Sequence, residues 1–105
     1  MTRHFLLTYD LADDHAERRG PYRAAHLALA WAAHERGALI QAGGCEGSPG
    51  LAALFFQGPD ASVAEDFARA DPYVTSGLVR GWRVREWHTV VGPDAADPTR
   101  PETTT

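Results

Sequence analysis

The sequence predicts a single α+β domain in which a four-stranded antiparallel sheet carries two helices on one face. Three observations lead there. Four short apolar runs and two helix-patterned runs follow one another in the order β-α-β-β-α-β, the split unit of the ferredoxin-like fold. The chain has 105 residues, the size of one small domain. Right-handed crossovers then give the sheet order 4-1-3-2, with strands 1 and 3 at its centre. The runs assigned to those places, FLLTY (5–9) and LAALFF (51–56), are apolar without alternation.

The elements follow in order. HFLLTY, inside an expected strand at 3–10, is short, apolar and aromatic, and DLADD closes it. RRGPYRAAHLALAWAAHERG (18–37) predicts a helix over 19–36. Pro21 suits its first turn, where the missing N–H costs nothing, and Gly37 suits a left-handed cap. Leu29 with Ala25, Ala32 and Ala33 makes its apolar stripe. ALIQAGG (38–44) is the second strand, CEGSPG (45–50) a loop and LAALFFQ (51–57) the third strand. GPD leads into ASVAEDFARA (61–70), a helix with Val63, Phe67 and Ala70 on one side. RADPYVTSG (69–77) has the composition of a turn, and LVRGWRVREWHTVV predicts a fourth strand near 78–90. Residues 1–91 form the folded domain; GPDAADPTRPETTT (92–105) reads as a polar, mobile tail or one draped over a neighbour.

A one-sided sheet alternates polar and apolar residues along each strand. Strands 1 and 3 do not alternate, so both faces need cover. No residues remain for another layer, and a second copy of the chain is the simplest cover. The expected assembly is therefore a homodimer.

Bulk properties exclude several classes. A net charge of −4 and a pI near 5.6 oppose nucleic acid and anionic membranes as partners. RNA-recognition domains share the β-α-β-β-α-β order, but GLAALFF lacks the basic-aromatic pattern that stacks bases. The single cysteine, Cys45, allows no internal disulfide and fits a reducing compartment. No signal-peptide pattern or membrane-length apolar stretch is legible, which predicts a cytoplasmic protein.

The pieces RAAHL (23–27), GALIQAGG (37–44), ADPYVTSGLV (70–79) and VREW (84–87) resemble the YciI-like (YCII-related) proteins, members of the dimeric α+β barrel superfamily. The resemblance covers residues 3–90. It implies a ferredoxin-like protomer, a face-to-face dimer of sheets and a cleft holding a His–Asp pair, here His26 and Asp71. It also implies chemistry on small cyclic compounds. One branch of the family removes chloride from a chlorinated hydroxyquinol, and the wider superfamily includes lactone isomerases and oxygenases. Gly43–Gly44 stands where the resemblance leads one to expect glycine-proline.

His26 borders the apolar stripe of the first helix. A histidine there is either a core-edge residue bonded to a carbonyl or a general acid–base group. Asp71, directly before Pro72, is either a turn former or, with His26, the group that orients the imidazole. Arg23, three residues before His26, suits an anionic substrate group or a solvated surface. Tyr73 suits packing or substrate contact. Ser48 is a candidate at the mouth of the site. Cys45 has Glu46 beside it, the wrong charge for a reactive thiol. The histidines lack metal spacing, HERG (34–37) lacks the second histidine of a zinc motif, and GGCEGSPG lacks the lysine and helix of a phosphate cradle. No metal, heme or other cofactor is predicted. Trp31, Trp82 and Trp87 are expected in the core or at a dimer interface. Two functions remain: a cofactor-free acid–base enzyme (a lyase, dehydrochlorinase or isomerase) on a small cyclic or aromatic compound, or a non-catalytic small-molecule-binding or structural dimer.

Overall fold

The structure is a computed structural model that describes residues 2–101. Strand β1 (Arg3–Leu11) leads through a one-turn helix α1 (His15–Arg18) into α2 (Gly20–Glu35). β2 (Leu39–Cys45) and β3 (Leu51–Gly58) follow as a hairpin. Helix α3 (Ser62–Ala70), a second one-turn helix α4 (Pro72–Thr75) and β4 (Val79–Glu86) complete the domain. The sheet order is β2-β3-β1-β4, with every neighbouring pair antiparallel. This is the ferredoxin-like α+β arrangement expected from the crossover rule.

Apart from His4, which is buried on the other face against Phe55, burial along β1 has the period of a one-sided strand. Phe5, Leu7, Tyr9 and Leu11 are buried toward the helices. Across the register Phe5 meets Phe56 and Leu7 meets Leu54, and the Phe56 ring packs on Phe67 of α3 at 5.2 Å. Leu6, Thr8 and Asp10 point to the open face, where they share a shallow depression with Leu51, Arg83 and Arg85. β1 and β3 read as unbroken apolar runs because Leu6 and Phe55 are apolar residues on the open side.

The helix stripes differ from the periodicity reading. In α3 the buried residues are Ala64, Phe67 and Ala68; Val63 is half-buried and Ala70 exposed. In α2 only Ala33 is buried, Leu29 is half-buried, and Ala25 and Ala32 are exposed. The helix packs on the core through Ala33, Leu29 and Ala30, and Leu27, Ala30 and Trp31 line a cavity. Gly37, at φ +87°, ends α2 in the left-handed region that glycine enters without steric cost, and Ala38 N–H bonds back to Ala33 O at 3.0 Å.

Two segments depart from their expected form. RADPYVTSG contains the short helix α4 within the turn, because Asp71 is extended (ψ 123°) as a pre-proline residue should be, and its side chain caps the helix. β4 stops at Glu86 rather than near 90. Trp87 N–H still reaches His4 O at 2.8 Å, but β1 begins at Arg3, so the partner strand runs out. Beyond it the chain folds on itself, with Asp97 N–H on Thr89 O at 3.1 Å and Thr99 N–H on Val90 O at 2.8 Å. Of the segment read as a tail, residues 102–105 lie outside the described residues. Among the described residues no helix is long and apolar enough to cross a membrane.

Candidate active site

Four elements converge beneath α2. His26 comes from the helix itself, Asp71 from the α3–α4 junction, Tyr73 from α4 and Tyr9 from β1. His26 Nδ1 lies 2.9 Å from Asp71 Oδ1 and 3.0 Å from Oδ2. Asp71 is fully buried, whereas the His26 side chain keeps 16% of its surface exposed. Tyr9 Oη donates to Asp71 Oδ2 at 2.7 Å, and the Tyr73 backbone N–H donates to Oδ1 at 3.0 Å.

The chemistry follows from counting donors. An ionised carboxylate accepts only, through two oxygens. Around Asp71 stand a phenol O–H, a backbone N–H and an imidazole N–H, so Asp71 assigns the His26 proton to Nδ1. The opposite nitrogen, Nε2, makes no hydrogen bond among the described residues. Burial pushes the Tyr9 hydroxyl well above the usual tyrosine range, and the Asp71 charge raises it further. Tyr9 therefore stays a neutral donor.

His26 lines a cavity of about 460 Å³ between α2 and the sheet. Arg23 and Tyr73 line it too, so three of the sequence candidates share one space with Asp71 behind them. Ser48 does not line it. It sits in the exposed loop between β2 and β3, which Leu11 N–H anchors through Gly50 O at 3.1 Å. Cys45 is exposed and does not line the cavity. Among the described residues no group of three or more His, Cys, Asp or Glu is placed to hold a metal ion.

The sequence reading missed Tyr9, which holds Asp71 but does not line the cavity, and several residues that do line it. Tyr9 shares the parity of Phe5 and Leu7, which puts it under the helices, but its partner is 62 positions away. His15, Arg19, Trp31 and His34 line the cavity as well. Arg19, Arg23, Leu27 and Trp31 recur every four residues, a helical signal hidden by the alanines between them. His34 Nδ1 is tied to Leu39 O at 2.7 Å.

A family model described as YCII-related domain matches residues 2–88. No curated protein matches the sequence. Among solved structures the fold is similar to 5-chloro-2-hydroxyhydroquinone dehydrochlorinase from Burkholderia phenoliruptrix AC1100, in complex with 2,5-dihydroxybenzoquinone. That match has a TM-score of 0.68 at 20% identity and covers 80% of this chain and 92% of the other. A NIPSNAP family protein from Agrobacterium tumefaciens matches with a TM-score of 0.56 at 14% identity, over 95% and 100% of the two chains. A Mycobacterium tuberculosis protein gives 0.53 at 14% identity, over 90% and 100%. At these identities the structural matches establish the fold alone.

Proposed function

The chain belongs to the YCII-related domain family, and on that premise we propose that it is a cofactor-free acid–base enzyme acting on a small cyclic or aromatic compound. One observation carries the reading: an imidazole held at Nδ1 by a buried carboxylate, with Nε2 left for a ligand beside a cavity of about 460 Å³. In the proposed reaction Nε2 takes a proton from a substrate carbon or hydroxyl. The imidazolium so formed faces the Asp71 carboxylate, which offsets the new charge. The proton then returns at a second position, giving an isomer. In the lyase variant, a halide leaves with its bonding electron pair, so that one proton and one halide are lost together.

The dehydrochlorinase with a bound dihydroxybenzoquinone supports oxygenated six-membered rings as the first compounds to test. The homodimer belongs to the same proposal. Leu6, Leu51 and Phe55 are half-buried on the open sheet face, and Trp87 is 45% exposed beside Phe55. A second sheet packed there would bury them.

The test is turnover of chlorinated and unchlorinated hydroxyhydroquinones, read as chloride release and as deuterium uptake from solvent. His26→Gln should lower the rate by about 10²–10⁴-fold with an unchanged circular dichroism spectrum. Full activity in His26→Gln would overturn the mechanism. Tight binding without turnover by the wild-type protein would favour the second reading, a small-molecule-binding dimer. That no cysteine or serine lines the cavity among the described residues also suits that reading.

A further inference from the structure

The wall of the cavity has a charge pattern opposite to that of the chain. The protein carries a net charge of −4, yet among the described residues no Asp or Glu lines the cavity, while Arg19 and Arg23 do. Asp71 is buried behind His26. Arg3, Arg18, Arg69 and Arg80 each face a carboxylate. The guanidinium groups of Arg19 and Arg23, like those of Arg36, Arg83 and Arg85 outside the cavity, have no hydrogen bond or ion pair among the described residues. Arg19 precedes Arg23 by four residues at the start of α2; like charges so spaced repel each other, and an anion between them would relieve that repulsion.

The same ridge changes character further along. Leu27 follows Arg23 by four residues and Trp31 follows Leu27 by four, each step rising roughly 6 Å along the helix. Both are large apolar side chains left exposed, Leu27 at 39% and Trp31 at 63%. His26 adjoins Leu27, at the boundary between the cationic and apolar halves. A guanidinium pair recognises a carboxylate through its fork of N–H donors, and a leucine–indole surface recognises a flat ring.

We propose that the cavity takes an aromatic carboxylate, with its acid group between Arg19 and Arg23 and its ring along Leu27 and Trp31, one edge at His26. This inference rests on the reading of the cavity as the ligand site but not on proton transfer by His26. It names a specificity determinant, the arginine pair, apart from the acid–base pair. Arg23 is exposed on α2 and Arg19 is the half-buried cap residue just before it; neither guanidinium bonds to another described residue, so their replacement should leave the fold intact.

The test compares 2-naphthoate with its uncharged analogue 2-naphthamide, by calorimetry and by tryptophan fluorescence in low salt. The wild-type protein should bind the acid at least about tenfold more tightly, the scale of a charge-assisted pair. The R19Q/R23Q double variant should bind both probes equally, and Arg23→Lys should keep part of the preference. His26→Gln should keep all of it while losing turnover, which separates this inference from the proposed reaction. Equal affinity of the wild-type protein for the two probes would overturn it. So would a preference that survives in R19Q/R23Q, or no binding of either probe at millimolar concentration.

Discussion

The imidazole of His26 and the phenol of Tyr73 lie face to face, with ring centroids 3.9 Å apart and planes 7° from parallel. Tyr73 also gives its backbone N–H to Asp71. The tripeptide Asp71-Pro72-Tyr73 thus supports the histidine twice, by a carboxylate at the ring edge and a phenol at the ring face. The Tyr73 hydroxyl itself is buried without a partner among the described residues. Tyr73→Phe keeps the stack and removes that hydroxyl, so stability to urea should be unchanged or rise by about 1 kcal/mol. Tyr73→Ala should cost about 3–5 kcal/mol through lost burial. A large loss in Tyr73→Phe would show that the hydroxyl has a partner in solution.

The Tyr9 hydroxyl gives a signature at alkaline pH. Its folded value is pushed above the ordinary tyrosine value of 10.0 by burial, and further by Asp71. Unfolded chains then lose this proton first as pH rises. With fewer protons bound in the unfolded state, unfolding becomes easier above pH 10. Stability is held below that point and lost progressively above it. Tyr9→Phe should flatten this part of the denaturation-against-pH curve. The same variant removes one donor from a buried carboxylate, at a cost of about 1.5–3 kcal/mol at neutral pH.

How much of this was legible differs between fold and site. The strand order followed from element order and crossover handedness, because those rules depend on the chain path and not on side-chain detail. The helix stripes did not follow. α2 stands over a cavity, so Leu27 and Trp31 take positions that periodicity alone would assign to a solvated face. His26 and Asp71 came from motif resemblance, since a separation of 45 residues cannot be closed by local pattern. Tyr9 was hidden for the same reason and had no motif to mark it. Ser48 drew attention through its loop composition, and composition does not say which way a loop points. The early end of β4 depends on where β1 starts, a pairing fact that neither strand carries alone.

The open sheet face yields a test of assembly. Phe55 packs there against Trp87 and His4, with both ring centroids 4.8 Å away. A stable interface over this face should bury about 1,200 Å² or more in total. Phe55→Asp would place a charge in its middle. Light scattering at micromolar concentration should give the dimer mass for the wild-type protein and the monomer mass for Phe55→Asp, with the far-ultraviolet spectrum unchanged. A wild-type monomer would leave Leu6, Phe55 and Trp87 without cover and would sink the dimer.

Asp71→Asn separates orientation from burial. Asp71 receives three donors, from Tyr9 Oη, the Tyr73 N–H and His26 Nδ1. An amide of the same shape has one accepting oxygen and one donating NH₂. At least one of the three donors must then face another donor or give way. The Tyr73 N–H is fixed by α4 and the Tyr9 hydroxyl can rotate, but the imidazole can move its proton between nitrogens. If the NH₂ turns toward His26, Nδ1 becomes the acceptor and the proton shifts to Nε2. A base facing the cavity becomes a donor, and turnover should fall by about 10²–10⁴-fold. Stability should fall by about 1–3 kcal/mol for the imperfectly satisfied site. Nitrogen-15 spectra of the imidazole report the tautomer directly: Nδ1–H in the wild-type protein, Nε2–H in Asp71→Asn. If the variant keeps the Nδ1–H tautomer and full turnover, Asp71 only caps α4, and the orientation of His26 comes from its stack on Tyr73 alone.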